Sequence, residues 1–198
     1  MNEQSVLRLF SDYVDPACLL LEHRLRGLAG ETTFTLSVEP FEISGPPAPL
    51  FDPGEPEIVR HWEEMEEEGT RLGFELKRPW IIPWTRKAHE LAFYARKKDC
   101  FQVIHDALFR AYLVEGLDIG RVDILVSIAR KQGLDASEAK AVLDVDQTLE
   151  KVVAKRQEAR ELGVTQTPTL LWRGQMLSGY PDDGTLGEFL ALGRQNET

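Results

Sequence analysis

Apolar and polar positions at the start of the chain follow the rhythms of strands and of a helix. The apolar run 6–10 predicts a short buried strand, and the run 19–25 that follows it predicts a helix. Residues 32–38 then alternate polar and apolar side chains, which is the pattern of a half-buried second strand. A strand, a helix and a strand in this order predict a βαβ unit with a right-handed crossover and the helix packed on the sheet.

A proline-rich segment separates this unit from a long helical region. Residues 44–56 hold five prolines and two glycines, which exclude regular structure and indicate the entry to an insertion. From about residue 57 the apolar positions recur at a helical period. We expect the acidic run 63–68, in the first helix of this region, to face solvent. Gly69 and Gly73 are expected to end that helix.

Helical periodicity continues through the middle of the chain. A helix is predicted to begin near Thr85, which is a suitable N-cap residue. Further on, Asp135 with Glu138 three residues later predicts a capped short helix. A longer helix over about residues 146–162 then returns the chain to the sheet.

The C-terminal end combines a hairpin with a last helix. Apolar runs at 169–172 and 175–177 flank Arg173–Gly174, which predicts an antiparallel hairpin closed by a tight turn. Residues 185–192 predict a helix. The predicted order of elements is therefore βαβ, a helical lobe and ββα.

Length and charge narrow the classes of function. A chain of 198 residues is long enough for one core with a lobe inserted into it. Its 42% hydrophobic and 28% charged residues are ordinary for a soluble globular protein. The formal net charge of −10 argues against nucleic acid as a partner, because phosphate binding needs clustered lysine and arginine.

Nothing in the sequence predicts a membrane segment. No run approaches the roughly 18 apolar residues of a membrane span, and residues 1–4 lack the basic and apolar parts of a signal peptide. We therefore expect a cytoplasmic protein whose thiols are kept reduced. Its two cysteines, Cys18 and Cys100, form no disulfide framework, and Cys100 is interpreted as a small core or helix-start residue.

The turn between the first strand and the first helix carries the candidate chemistry. Asp15 is a strong N-cap residue, and Pro16 suits the first helical position, where its missing N–H is no loss. Cys18 then falls in the first helical turn, where unpaired N–H groups and the helix dipole lower the pKa of a thiol. The charge of Asp15 is expected to oppose this effect and to disfavour a thiolate at Cys18.

Two motifs, at opposite ends of the chain, resemble those of one known family. Residues 12–18, Asp-Tyr-Val-Asp-Pro-Ala-Cys, resemble the Asp-x-x-Cys-Pro-x-Cys of the DsbA-like branch of the thioredoxin superfamily, with Asp15 in place of the first cysteine. Residues 163–172 resemble the Gly-Val-x-x-x-Pro-Thr strand entry that carries the cis-proline of that family. Segments 85–89 and 107–135 are similar to the lobe of DsbA-like proteins, and the second also to 2-hydroxychromene-2-carboxylate isomerases.

The resemblance covers nearly the whole chain and implies its architecture. We expect an α/β protein with a thioredoxin fold and an inserted all-helical lobe. The thioredoxin-like domain would comprise residues 1–53 and 146–198, and the lobe would comprise residues 54–145.

The resemblance also implies the residues of a site. Asp15 and Cys18 occupy the positions of the catalytic pair. Substrate binding would fall to Pro16, Thr167, Pro168 and Trp84. The Thr167–Pro168 peptide bond is expected to be cis, with a backbone edge that a ligand can meet in the manner of a strand. A peptide or a small thiol is the expected partner; no cofactor beyond glutathione and no metal is expected.

Three interpretations of the Asp15–Cys18 pair stay open. Asp15 caps the helix while Cys18 packs in the interior, or Cys18 is oxidised to a sulfenic acid or glutathionylated, or Asp15 acts as a catalytic carboxylate. Dithiol exchange is not expected, because a mixed disulfide at Cys18 has no neighbouring thiol to resolve it.

Three functions are compatible with this reading. The first is a thiol-disulfide oxidoreductase-like protein that acts through a single cysteine or has lost its activity. The second is a glutathione-dependent isomerase or transferase, although the serine that such relatives place at the first motif position is absent. The third is a noncatalytic module that keeps the peptide groove.

Overall fold

The computed structural model describes residues 6–28 and 34–192, which form an α/β fold. In this part of the chain a mixed sheet has the strand order β2-β1-β3-β4. Its strands are β1 (Val6–Ser11), β2 (Thr35–Pro40), β3 (Thr169–Trp172) and β4 (Gln175–Ser178). β1 pairs parallel with β2 and antiparallel with β3, so the first strand lies inside the sheet.

The predicted N-terminal βαβ unit is confirmed. Helix α1 (Pro16–Leu28) connects β1 to the parallel strand β2. The second strand lies later than the predicted 32–38, because its ladder follows β1 as far as Ser11, which is opposite Pro40. Residues 32 and 33 lie outside the described part of the chain.

Both faces of the sheet are covered. On one face, α1 and the last helix, α8 (Asp183–Leu192), pack on alternate residues of β1. The buried members of this core include Leu7, Leu9, Leu21, Leu25, Leu170, Trp172, Leu186 and Phe189. On the other face, Phe10 packs with Phe41, Ala159 and Val164. β1 is therefore buried on both sides, and the loop that follows it starts from a rigid position.

The predicted hairpin is confirmed, including its turn. β3 and β4 pair antiparallel, with Trp172 opposite Gln175. Arg173 and Gly174 between them have φ angles of 49° and 81°. Two consecutive positive φ angles match the twist of the strands in a two-residue hairpin, and glycine adopts such an angle without steric cost.

A lobe of helices is inserted between β2 and β3, where every residue is described. Its helices are α2 (Pro56–Arg71), α3 (Arg86–Lys97), α4 (Phe101–Phe109), α5 (Val122–Lys131) and α6 (Ala136–Asp144). Helix α7 (Leu149–Glu161) follows the lobe and packs on the sheet through Ala159. α4 continues as a π-helical turn over Arg110–Val114. The lobe core also contains Tyr13, Val14 and Cys18, so it is continuous with the start of α1.

Two expectations about α2 are wrong. Gly69 does not end the helix but lies within it, where a side chain would meet Leu76, whose Cδ1 atom is 3.0 Å from the position of a Cβ. The helix ends near Gly73, which has a φ of 84°. The acidic run is not wholly solvated either, because Glu68 is buried and accepts a hydrogen bond of 2.7 Å from the Tyr180 hydroxyl.

The cap at the start of α6 provides a first prediction. The Asp135 carboxylate accepts a hydrogen bond of 2.7 Å from the backbone N–H of Glu138. We expect Asp135→Ala to lower the free energy of unfolding by about 1 kcal/mol, because this N–H loses its partner. Urea unfolding followed by circular dichroism measures the change. Ser137→Ala, at an exposed position of the same turn, is the control, and an equal loss there would contradict the assignment.

Candidate active site at the start of the first helix

Asp15 closes the turn between β1 and α1 as the sequence predicts. Its Oδ1 atom accepts a hydrogen bond of 3.0 Å from the backbone N–H of Ala17, in the first turn of the helix. The turn is tightened by a bond of 3.3 Å from the Asp15 N–H to the Asp12 carbonyl. Only 6% of Asp15 is exposed, so the carboxylate is held inside the protein rather than in solvent.

Three further groups surround the Asp15 carboxylate. The Thr167 hydroxyl donates to Oδ2 over 2.7 Å, and the Cys18 Sγ atom donates to the same oxygen over 3.6 Å. The Nε2 atom of His61, from lobe helix α2, lies 3.0 Å from Oδ1. One carboxylate therefore joins the start of α1, the entry to β3 and the helical lobe.

Cys18 is a buried thiol rather than an exposed nucleophile. Its side chain is fully buried and packs against the lobe core. Burial raises the pKa of the Cys18 thiol well above its ordinary value, and the negative charge of Asp15 raises it further. The uncharged thiol is the form that this environment favours.

The entry to β3 lies against the same carboxylate. The Thr167–Pro168 peptide bond is cis in the structure, and Pro168 is buried. The Pro168 carbonyl accepts a hydrogen bond of 2.8 Å from Gly179. The backbone N–H and C=O of Thr167, in contrast, have no hydrogen-bond partner among the described residues.

Five of the six residues expected at the site lie together: Asp15, Pro16, Cys18, Thr167 and Pro168. The sixth, Trp84, lies next to the turn that carries Asp15. Trp84 makes no hydrogen bond to this group; its indole N–H donates to the Ala48 carbonyl over 3.2 Å. It lines a small recess with Asp12, Val14 and Ile82. Trp84 is 37% exposed, so its ring forms part of a surface next to the turn rather than part of the Asp15 cluster.

His61 is the site residue that the sequence analysis misses. It precedes Trp62 on α2, within a helix whose sequence is dominated by glutamates. Its pKa is raised above the ordinary value, chiefly by the hydrogen bond with Asp15 and further by the charges of Asp15 and Glu64, while partial burial opposes the change. A histidine one position from a buried tryptophan was the available signal, but the distance to Asp15 could not be read from spacing.

A second polar network lies behind the site and is also missed by the sequence analysis. The Tyr13 hydroxyl is 2.9 Å from His105 Nδ1, and His105 Nε2 is 2.8 Å from Glu22 Oε2. Arg26 donates to the other oxygen of Glu22. Tyr13, Glu22 and His105 are each buried, and they join α1 to lobe helix α4.

His89 belongs to a separate contact on the other side of the turn. Its Nε2 atom lies 3.2 Å from Asp12 Oδ1. Asp12 also accepts hydrogen bonds from the backbone N–H groups of Tyr13 and Ile43, each of 2.8 Å. His89 is buried, and its contact with Asp12 helps to hold the turn in place.

Among the described residues, no group of three or more His, Cys, Asp or Glu side chains is arranged to hold a metal ion. Within the same residues, no helix is long and apolar enough to span a membrane. Cys18 and Cys100 are both free thiols, and Cys100 lies at the start of α4, as expected for a helix-start residue.

Several solved structures have this fold. The probable DsbA oxidoreductase SCO1869 from Streptomyces coelicolor superimposes with a TM-score of 0.85 and 19% identity over 98% of this chain and 91% of that one. A 2-hydroxychromene-2-carboxylate isomerase gives a TM-score of 0.74 with 18% identity, over 96% of this chain and 95% of that one. The cytosolic disulfide reductase DsbM from Pseudomonas aeruginosa, solved with GSH, gives 0.64 with 15% identity, over 94% and 96%.

Sequence comparisons lead to the same family. The uncharacterized protein YwbO of Bacillus subtilis is 27% identical over 183 residues, which cover 87% of this chain and 89% of YwbO. The profile of the DSBA-like thioredoxin domain matches residues 6–191, which include every strand and almost every helix. The chain belongs to the DSBA-like thioredoxin domain family.

Proposed function

We propose that this protein is a thiol-disulfide oxidoreductase-like protein whose degenerate site no longer exchanges dithiols but still binds a small thiol or an extended peptide. The observation that carries the proposal is the environment of Asp15. A buried carboxylate stands at the first motif position and accepts hydrogen bonds from four groups on three parts of the fold.

The loss of dithiol exchange follows from the chemistry of the pair. Exchange begins with attack by an exposed thiolate and ends when a second thiol releases the mixed disulfide. Asp15 supplies no sulfur, and Cys18 is buried with a raised pKa. The attack therefore lacks an exposed thiolate, and the release of the mixed disulfide lacks a second thiol.

The proposed binding surface is the backbone edge at Thr167. The N–H and C=O of Thr167 are unpaired among the described residues, so an extended backbone can pair with them as a further strand would. Glutathione is the probe that we favour, because DsbM, a protein of the same fold, was solved with GSH. The cytoplasm remains the proposed location, since both cysteines are free thiols.

A glutathione-dependent isomerase is the second candidate. The observation in its favour is the contact of 3.0 Å between Asp15 and His61. A carboxylate paired with a histidine is suited to moving protons rather than electrons.

We expect no turnover in an insulin-reduction assay and slow alkylation of Cys18 by iodoacetamide at neutral pH. Cys100, which is only partly buried, serves as the internal reference for alkylation. Reduced glutathione at about 100 times its Kd is expected to stabilise the folded state by about 2.7 kcal/mol, which raises the Tm of a chain of this size by about 5 to 10 °C. Insulin turnover typical of a dithiol enzyme would contradict the proposal. So would a Tm that neither glutathione nor an unfolded peptide raises.

A further inference from the structure

His61 has the features of a residue that moves a proton at this site. Its Nε2 atom lies 3.0 Å from the buried Asp15 carboxylate, which fixes the ring. Its Nδ1 atom makes no hydrogen bond to any described residue, and 41% of the side chain is exposed. A buried carboxylate on one imidazole nitrogen, with the other nitrogen free, is the arrangement that orients a general base.

We propose that His61 ionises the thiol of a small ligand bound beside Asp15 and Thr167, with Asp15 as its positioning residue. This inference rests on the proposed function, because it requires that a small thiol binds there. The proton passes from the ligand sulfur to Nδ1 of His61, while the N–H at Nε2 remains donated to Asp15. The products are a thiolate and an imidazolium; no electrons move, and no further reactant is needed.

The other polar groups of the cluster lack the capacity for this step. The Thr167 hydroxyl has one hydrogen and donates it to Asp15. The Asp15 oxygens already accept from Ala17, Cys18, Thr167 and His61. Cys18 is fully buried and itself favours the protonated form. Among the groups around the carboxylate, His61 is the one with both an exposed surface and a free nitrogen.

The surroundings of His61 favour its charged form. The charged groups that act on the His61 ring are Asp15, in the turn before α1, and Glu64 on the same helix as His61, and both raise the pKa of His61. The entry to β3 contributes the neutral hydroxyl of Thr167, and α1 contributes the uncharged thiol of Cys18. A more basic imidazole holds the transferred proton better, and the N-terminus of α1 adds partial positive charge for the thiolate.

The test measures ionisation of bound glutathione. With protein in excess, thiolate absorbance at 240 nm is followed from about pH 5 to 10, and binding is measured separately by calorimetry. We expect bound glutathione to ionise about tenfold more readily than free glutathione in the wild type and in the control His23→Gln, which changes an exposed histidine of α1. In His61→Gln the thiol should ionise near the pH of free glutathione. S-methylglutathione, which has no thiol proton, should bind the wild type and His61→Gln equally.

A second readout separates a chemical role from a structural one. The imidazole signals of the four histidines are titrated by NMR in the wild type and in Asp15→Asn. The pKa of His61 should fall in the variant, and the ionisation of bound glutathione should move with it. If glutathione binds and its ionisation is the same in His61→Gln as in the wild type, this inference is overturned and the proposed function stands. If glutathione binds none of these proteins, this inference is overturned, and the proposed function is overturned with it only if an unfolded peptide also fails to stabilise the wild type.

Discussion

Replacing Asp15 with cysteine is expected to give a protein that forms an internal disulfide with Cys18 and reduces insulin. The introduced thiol would stand at the helix N-terminus, where the dipole and the unpaired N–H groups lower a thiol pKa. The Asp15 carboxylate already lies 3.6 Å from Cys18 Sγ, so a sulfur at this position comes close to its partner. The substitution also removes a negative charge that raises the pKa of Cys18.

The formation of the disulfide can be counted directly. Oxidised Asp15→Cys should present one alkylatable thiol after denaturation, that of Cys100, whereas the reduced variant should present three. Asp15→Ser is the matched control, because it removes the charge without adding a sulfur and should remain inactive. Three alkylatable thiols in the oxidised variant would show that residue 15 and Cys18 are not placed as the structure has them.

Features that depend on neighbouring residues could be predicted from the sequence. The cap at Asp15, the helix start at Pro16 and the hairpin turn at Arg173–Gly174 all follow from local backbone chemistry. The nearness of Asp15 and Thr167, 152 positions apart, came instead from resemblance to a family with two known motifs. Neither the spacing of the two residues along the chain nor the hydrophobic pattern predicts the distance between them.

Long-range polar contacts could not be predicted, because they depend on how the lobe packs. His61 and Glu68 both lie on a helix whose glutamates indicate a solvated surface. Packing nevertheless brings His61 to Asp15 and Glu68 to Tyr180. Likewise Thr85 occupies the N-cap position of α3, as predicted, but its hydroxyl makes no capping bond and is buried without a partner among the described residues.

Removing the carboxylate of Glu22 is expected to destabilise the protein more than any surface substitution. Glu22 is 1% exposed and accepts from His105 and Arg26, and so it joins α1 to the lobe. Glu22→Leu would leave the buried N–H of His105 without its acceptor and Arg26 with only Asp106. Leaving a buried donor without its acceptor costs about 1 to 3 kcal/mol.

Urea unfolding of three variants separates the effect of the Glu22 hydrogen bonds from the effect of its charge and from that of an exposed glutamate. Glu22→Gln keeps the shape and one acceptor oxygen, and we expect it to cost less than Glu22→Leu. Glu67→Leu, at an exposed glutamate of α2, should change the free energy of unfolding by less than about 0.5 kcal/mol. A loss at Glu22→Leu as small as that at Glu67→Leu would contradict the role of this network.

The pH dependence of the stability difference between the wild type and Glu22→Gln provides an independent test. Burial alone would raise the pKa of Glu22, but the hydrogen bond and charge of His105, together with Arg26, lower it below its ordinary value of 4.5. A carboxyl with a lowered pKa in the folded state stabilises that state fully above its unfolded pKa, and this stabilisation is lost as the pH falls through the folded pKa. The stability difference between the wild type and Glu22→Gln should therefore be constant near neutrality and shrink below about pH 4.5. A difference that stays constant or grows in acid would mean that Glu22 is not held as a carboxylate by His105 and Arg26.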